Sequence, residues 1–301
     1  MSRAQQPQDK VPAILQDVSP LSARYPVWFC DIWGVVHNGV KADQAACAAL
    51  IRHRENGGIV IFITNSPRPT PALITQLDGL KVPRKSWDAI VTSGDVTREV
   101  IRARAGARVF HLGPEKDAHL REGLPVTFTG EEDAELILCS GPYDDLSESP
   151  EDYRGMLRAL AARNLDLVCA NPDLKVQHGD RIIPCGGALA AIYAQEGGRV
   201  IMAGKPHPPI YEACLRKARD AAGRDVDKSE IMAIGDGLAT DILGARDFGI
   251  AALYIATGIH HEELLKGGVA AIMELIERTA PGVNLAGIME RLVWKENGEG
   301  K

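Results

Sequence analysis

The chain has 301 residues, of which 45% are hydrophobic and 25% are charged, and its formal net charge is −6. These values are typical of a globular protein that forms one large domain or two smaller ones. An acidic chain argues against a nucleic acid or an anionic membrane as partner, because both attract basic patches. A small phosphorylated substrate remains compatible with this charge, since it needs only a local positive pocket.

Neither a targeting segment nor a disulfide framework is evident in the sequence. The first ten residues contain no apolar segment, so we expect no secretory signal, and no apolar run is long enough to span a bilayer. The six cysteines show no CxxC spacing, and Cys30, Cys139 and Cys169 lie inside apolar runs, where cysteine is usually a small buried hydrophobe. We therefore favour buried, reduced cysteines over a disulfide or metal site, and a cytoplasmic location.

Short apolar runs follow one another along the chain and predict buried strands. Their apolar residues are continuous rather than alternating, which is typical of strands covered on both faces in a parallel sheet. The runs span residues 27–33, 59–64, 89–92, 109–112, 136–139, 165–170, 200–203, 231–234 and 251–256. Apolar residues at helical spacing in 210–222 and 240–248, each followed by a glycine, predict helices. This alternation predicts an α/β fold with a mostly parallel sheet.

The spacing of the polar motifs predicts an inserted domain. About 140 residues separate Asn65 from Lys205, whereas one crossover between parallel strands needs little more than a dozen residues. The intervening segment has strand and helix signals of its own. We therefore assign residues 1–103 and 199–301 to a core domain and residues 104–198 to an inserted α/β domain that caps it.

Polar residues of complementary chemistry stand at or just after the ends of four apolar runs. In parallel sheets ligands bind beyond the carboxyl ends of the strands, so these positions are candidates for a site. They carry Asp31, Thr64 with Asn65, Lys205, and Asp236. A carboxylate nucleophile, hydroxyl and amide donors, a cation and a second carboxylate are together what phosphoryl transfer needs.

Each of these residues also has a simpler interpretation. Asp31 can attack phosphorus or bind a metal ion, but an aspartate at a strand end can also cap a turn. Thr64 and Asn65 can donate to phosphate oxygens, or they can belong to a turn before a helix. Lys205 can offset the charge of a phosphate, or it can be one solvated lysine among many.

The segment from Asp236 to Asp241 is the strongest local motif. Asp236 lies on the loop after a predicted strand, and Asp241 opens the next predicted helix. Two carboxylates in this place can hold Mg²⁺, directly or through water, with a phosphate oxygen completing its coordination. The alternative is that Thr240 or Asp241 caps the helix, and one residue can do both.

In this order the four motifs resemble the active site of the haloacid dehalogenase superfamily, and the resemblance covers nearly the whole chain. The long insertion between the second and third motifs is similar to that of subfamily IIA, the p-nitrophenylphosphatase-like and sugar-phosphatase-like branch with an α/β cap. Three further segments support it, namely Thr92-Ser93-Gly94, Ala170-Asn171-Pro172-Asp173 and Gly186-Gly187-Ala188. The resemblance implies a Rossmann-like parallel-sheet core with an inserted cap domain.

The resemblance also implies a catalytic and a metal-binding set. Asp31 would be the nucleophile, and Lys205 would steady the charge. Mg²⁺ would be ligated by Asp31, the backbone carbonyl of Trp33 and Asp236. Asp241 would hold the metal ion or its waters.

A second implied set faces the substrate. Thr64 and Asn65 would bind the phosphoryl group, together with Lys205. Asn171 and Asp173 of the cap would face the rest of a small phosphorylated substrate. Pairing of two chains through the cap is implied by the resemblance alone.

Trp33 departs from the pattern of the superfamily. Its phosphatases usually have an aspartate two residues after the nucleophile, which protonates the leaving group and later activates water. An indole cannot do this, and such acid–base help is typically worth about 10²–10⁴-fold in rate. A slow phosphatase, one restricted to good leaving groups, and one with another acid such as His37 are all compatible with the sequence.

The sequence therefore predicts a Mg²⁺-dependent phosphatase for a small sugar or aryl phosphate, acting through an aspartyl-phosphate at Asp31. The alternative is a phosphotransferase or a non-hydrolytic phosphate-binding protein, because Trp33 replaces the usual acid.

Overall fold

The computed structural model describes residues 14–178, 181–256 and 261–295, with side chains described for all of these except 177–178 and 261–267. The first ten residues, for which we expect no secretory signal, lie outside the described residues. Within the described ranges, no helix is long and apolar enough to cross a membrane. All six cysteines are described, and they are buried and free, as their apolar surroundings predict.

The described strands and helices alternate along most of the chain. The strands are β1 (Val27–Asp31), β2 (Ile59–Thr64), β3 (Ala89–Thr92), β4 (Arg108–Leu112), β5 (Thr127–Thr129), β6 (Leu136–Cys139), β7 (Asp166–Cys169), β8 (Lys175–His178), β9 (Arg181–Pro184), β10 (Arg199–Met202), β11 (Ile231–Gly235), β12 (Ala251–Ile255) and β13 (Leu285–Met289). The α-helices are α1 (Ser19–Arg24), α2 (Gln44–Glu55), α3 (Thr70–Gly79), α4 (Ser93–Arg102), α5 (Arg154–Ala162), α6 (Gly186–Gln195), α7 (Pro208–Ala222), α8 (Leu243–Phe248) and α9 (His261–Thr279), the last interrupted by non-helical backbone at Gly268.

A six-stranded sheet forms the core, in the order β13-β12-β11-β1-β2-β3, and all its pairings are parallel. Successive side chains of β1 enter different apolar clusters. Phe29 packs in a cluster with residues of α7, α8 and α9, whereas Trp28 packs in one with residues of α1, α2 and α3. Both faces are therefore covered, which is why the runs are continuously apolar. The predicted α/β class is confirmed.

A second sheet is built from the inserted segment, in the order β10-β7-β6-β4-β5, and it is also parallel. The antiparallel hairpin β8–β9 accompanies it. The sheet has its own apolar clusters, one of which includes Leu157 of α5 and Leu189 of α6. The predicted Rossmann-like core with an inserted α/β domain is therefore the architecture of the chain.

The strand β10 differs from the prediction, which assigned residues from 199 onward to the core. It pairs with β7 of the second sheet, with Val200 opposite Leu167. An apolar run indicates that a strand exists but not which sheet it joins. The second sheet therefore extends past residue 198, and Lys205 does not follow a strand of the six-stranded sheet.

Several element boundaries also differ from the prediction. The first strand ends at Asp31, so Trp33 lies beyond it, and a π-helical turn at Leu238–Ile242 precedes α8. The strands β5, β8, β9 and β13 were missed. β5 is short and only partly buried, and β9 is largely exposed, so neither gives a continuous apolar run.

His53 of α2 is a titratable side chain inside the core. Its ring stacks on Trp28 with centroids 3.6 Å apart, and its Nδ1 lies 2.7 Å from Ser22 Oγ. Burial lowers the pKa of His53 from 6.5 to about 4. His37 and His111 have pKa values lowered to about 4, again chiefly by burial.

We predict that His53→Gln flattens the pH dependence of stability. The folded protein holds His53 neutral, so protonation favours the unfolded chain. Neutral His53 therefore adds roughly 3 kcal/mol, from the pKa difference, to the free energy of unfolding. This stabilisation is present above pH 6.5 and is lost as the pH falls through about 4. Urea unfolding between these pH values measures the slope. His119→Gln, at an exposed histidine, should keep the wild-type slope, and an equal slope in His53→Gln would contradict the prediction.

Candidate active site

A buried ammonium joins two carboxylates at the carboxyl end of β1. Lys205 Nζ lies 2.7 Å from Asp31 Oδ1 and 2.8 Å from Asp241 Oδ1. Asp31 is the last residue of β1, Asp241 lies in the turn before α8, and Lys205 lies between β10 and α7. All three are at most 6% exposed, so the charges are shielded from water and depend on one another.

A third carboxylate completes the cluster. One carboxylate oxygen from each of Asp31, Asp236 and Asp241 lies within 4.8 Å of the others. Gly34 leaves the space for Asp236, because its φ is +87° and a Cβ there would lie 2.2 Å from Asp236 Oδ2. Three hard oxygen donors suit Mg²⁺. The role of the Trp33 carbonyl stays a prediction.

The electrostatics of the cluster favour a divalent cation. Burial raises the pKa of Asp31 well above its ordinary value; Lys205 opposes this, and Asp241 and Asp236 add to it. Burial and Asp241 raise the pKa of Asp236 to about 7. Burial alone lowers the pKa of Lys205, but Asp241 and Asp31 raise it well above its usual value. One ammonium faces three carboxylates, and a bound cation would relieve the remaining repulsion.

The side chain of Asn65 is hydrogen-bonded to Lys205 and to Asp173. Its Oδ1 accepts from the Lys205 backbone N–H at 2.7 Å, and its Nδ2 donates to Lys205 O at 3.1 Å. The same Nδ2 donates to Asp173 Oδ1 at 2.8 Å. Both amide hydrogens are thus used in positioning Lys205 and Asp173. A phosphoryl contact by Asn65 therefore has to come from its backbone N–H.

Thr64 ends β2 and is buried, with its Oγ1 accepting from the Ser66 backbone N–H at 3.2 Å. Its hydroxyl hydrogen is left for another acceptor. Thr64 also lines the cavity described below. Its predicted place beside the phosphoryl group stays a prediction.

The segment 171–173 lies where the two sheets meet, and two glycines make room for it. A Cβ at Gly187 would lie 2.1 Å from Pro172 O. A Cβ at Gly204 would lie 2.4 Å from Asn65 Oδ1 and 3.0 Å from Pro172 Cδ. The small-residue segments singled out in the sequence therefore meet at the predicted site, although they are distant along the chain.

A cavity of about 300 Å³ lies between the core and the inserted domain. It brings Trp33, Thr64, Asn171 and Asp173 together. It is also lined by polar residues that the sequence analysis missed, namely Arg68, Gln76, Lys116, Asp117, Ser140 and Asp145. Arg68 had a signal, since it follows Thr64 by four residues. The others lie on helix α3, on a 3-10 helix or on loops of the inserted domain, and they belong to no motif.

His37 does not have the properties of a replacement acid. Its ring meets Trp33 edge-on, with centroids 5.2 Å apart, and its Nδ1 accepts from the Gly39 backbone N–H at 3.0 Å. Burial lowers the pKa of His37 to about 4. The imidazole is therefore neutral near pH 7 and is a poor proton donor.

Comparisons with known proteins find family models and a solved structure that match the chain. A family model described as haloacid dehalogenase-like hydrolase matches residues 28–125, and a second, HAD-hydrolase-like, matches residues 202–277. A solved hydrolase of the haloacid dehalogenase-like family from Brucella suis 1330 is 49% identical, with a TM-score of 0.79. The match covers 82% of this chain and 95% of that one.

Two of the relatives that the chain matches are named as phosphate-releasing enzymes. The 5'-nucleotidase YutF of Bacillus subtilis is 26% identical, over 79% of this chain and 90% of the relative. An acid sugar phosphatase of Staphylococcus epidermidis is 26% identical, over 78% of this chain and 88% of the relative.

We predict that Gly204→Ala destabilises the protein by about 1–3 kcal/mol, the usual cost of overpacking. The added methyl would meet Asn65 Oδ1 and also Ser93 Oγ at 2.8 Å. Urea unfolding measures the loss. Gly79→Ala is the matched control, since its new Cβ would meet no atom within 4 Å beyond its chain neighbours and the backbone of its own helix. Equal stabilities of the two variants would contradict the close packing at Gly204.

Proposed function

Because the chain belongs to the haloacid dehalogenase-like hydrolase family, in the p-nitrophenylphosphatase-like and sugar-phosphatase-like branch, we propose that it is a Mg²⁺-dependent phosphoric monoester hydrolase. Its substrate is a small phosphorylated metabolite, and the reaction passes through an aspartyl-phosphate at Asp31. The single observation that carries the proposal is the buried cluster of Lys205 with Asp31, Asp236 and Asp241.

The donor set fits a magnesium ion. Asp31, Asp236 and Asp241, with the carbonyl of Trp33, would hold it. When bound, the ion supplies positive charge that offsets the phosphoryl oxygens. Carboxylate and carbonyl oxygens are the ligands that this ion prefers.

The chain's own residues divide the remaining work. The Asp31 carboxylate attacks phosphorus, which splits hydrolysis into two easier steps. The ammonium of Lys205, already beside Asp31, offsets the charge of the incoming phosphate. The Thr64 hydroxyl and the Asn65 backbone N–H donate to phosphoryl oxygens. Burial of the cluster keeps these interactions strong by excluding water.

The cavity supports a small substrate. Its volume of about 300 Å³ and its position between two domains suit a metabolite better than a phosphorylated side chain on a folded protein. The relatives named acid sugar phosphatase and 5'-nucleotidase support a sugar or nucleoside phosphate. Trp33, Leu73 and Ile183 add apolar surface that would also accept an aryl group.

Trp33 favours a second candidate function. It lines the cavity, and it stands where phosphatases of the superfamily usually have the acid that activates water. Phosphotransfer to another acceptor, or phosphate binding without turnover, would need no such acid. The cytoplasmic location and the pairing of two chains also stay predictions.

We predict that Asp31→Asn abolishes phosphate release from p-nitrophenyl phosphate, with a loss of more than about 1,000-fold, because the amide is not a nucleophile. Removing divalent metal with EDTA should abolish wild-type activity, and added Mg²⁺ should restore it. Asp220→Asn, an exposed aspartate on α7, is the matched control and should keep wild-type activity. Retained turnover in folded Asp31→Asn would contradict the proposal, and metal-independent turnover would contradict the role of Mg²⁺.

A further inference from the structure

The proposed hydrolysis lacks a proton donor at position 33. When the bond between phosphorus and the leaving oxygen breaks, that oxygen must gain a proton unless it is a stable anion. Trp33 cannot supply one, and His37 is held neutral. The donor must therefore be another group that lines the cavity.

Three described carboxyl groups line the cavity, and two of them are engaged elsewhere. Asp145 forms an ion pair with Lys116. Asp117 is buried and hydrogen-bonds with Ser140 of the inserted domain. Among the described residues, no hydrogen bond connects Asp145 or Asp117 to the residues around Asp31.

Asp173 is connected to the site directly. Its Oδ1 accepts from Asn65 Nδ2 at 2.8 Å, and Asn65 directly follows the phosphate-binding Thr64. The same amide holds the backbone of Lys205, whose ammonium reaches Asp31. A single side chain thus links Asp173 to the segment that carries the catalytic lysine.

The backbone around Asp173 is also fixed. A Cβ at Gly187 would lie 2.7 Å from Asp173 O, so the segment sits against the start of α6. The Asp173 N–H donates to Asn171 Oδ1 at 3.3 Å. Asp173 thus belongs to a packed segment and lines the cavity.

We propose that Asp173 is the general acid of this enzyme and replaces the aspartate that phosphatases of the superfamily usually have at the position of Trp33. The proposal rests on the proposed function. In the first step an Asp31 oxygen bonds to phosphorus, the bond to the leaving oxygen breaks, and that oxygen takes the proton of Asp173. In the second step Asp173, now a carboxylate, takes a proton from water as the water attacks the aspartyl-phosphate. Phosphate leaves, and both aspartates return to their starting states.

The surroundings of Asp173 agree with this role. Burial raises its pKa, which the Asn65 hydrogen bond and Lys205 oppose and Asp241 reinforces. Asp173 also interacts electrostatically with Asp236 of the core, with Cys169 at the end of β7 and with Cys185 just before α6. Since Asn65 occupies Oδ1, the second oxygen is left to carry the proton.

The test is the leaving-group dependence of kcat/KM in wild type and Asp173→Asn. The substrates are dinitrophenyl, p-nitrophenyl and phenyl phosphate, in order of increasingly basic leaving oxygen. Asparagine keeps the acceptor for Asn65 but cannot give a proton. We expect little loss for dinitrophenyl phosphate and a loss of about 10²–10⁴-fold for phenyl phosphate.

Asp117→Asn is the matched control, because it removes another carboxyl group that lines the cavity. The ratio of its kcat/KM to that of the wild type should be the same for all three substrates. Adding Trp33→Asp to Asp173→Asn should restore phenyl phosphate turnover, since it returns the acid to its usual position. A merely structural role of Asp173 would instead give one loss for all three substrates, and that result would overturn the proposal.

Two further results keep the test decisive. Should Asp173→Asn not fold, the wild-type pH profile decides: phenyl phosphate turnover should fall at alkaline pH with a limb that dinitrophenyl phosphate lacks, and identical profiles would overturn the proposal. If hydrolysis depends on Asp31 but Asp173→Asn loses the same factor of kcat/KM on all three substrates, the role of Asp173 as general acid is contradicted and the proposed function is not. Absence of any Asp31-dependent hydrolysis contradicts the proposed function and the acid together.

Discussion

The ammonium of Lys205 is buried with the carboxylates of Asp31 and Asp241, and a buried charge is stable only while it is paired. Removing one partner leaves the others uncompensated in a medium that screens poorly. The ends of β1 and of β11, the turn before α8 and the segment after β10 must therefore meet at one point. The packing around these segments allows their close approach; at Gly34, for example, a Cβ would collide with Asp236.

The second domain takes part in the same arrangement through Asn65. One amide holds the backbone of Lys205 and the carboxylate of Asp173, so the end of β2, the buried lysine and the inserted domain share a single set of hydrogen bonds. The inserted domain and the segment that carries the buried ammonium are therefore positioned together. Polar groups shared in this way are costly to leave half-satisfied, which keeps the arrangement unique.

Much of this arrangement could be predicted from the sequence. Continuous apolar runs identified the parallel strands, and the polar residues after them identified Asp31, Thr64 and Asp236, because strand ends in such sheets converge. The sheet joined by β10 was beyond prediction, since pairing depends on tertiary contacts. The hydrogen bonds of the Asn65 side chain to Lys205 and Asp173 were also missed, because the partners of an amide depend on distances of a few tenths of an ångström. The cavity residues from the inserted domain lie on segments with no periodic pattern.

The short passage from β10 to Lys205 bears on how this enzyme can diversify. Only Ala203 and Gly204 lie between Met202, the last residue of β10 in the second sheet, and Lys205 of the buried cluster. Gly204 has no space for a side chain, so this junction has no slack in length or in shape. Recombination that exchanges the inserted domain must therefore break the chain upstream of this point and keep its register. New specificities are more accessible through changes in the loops that line the cavity than through replacement of the whole domain.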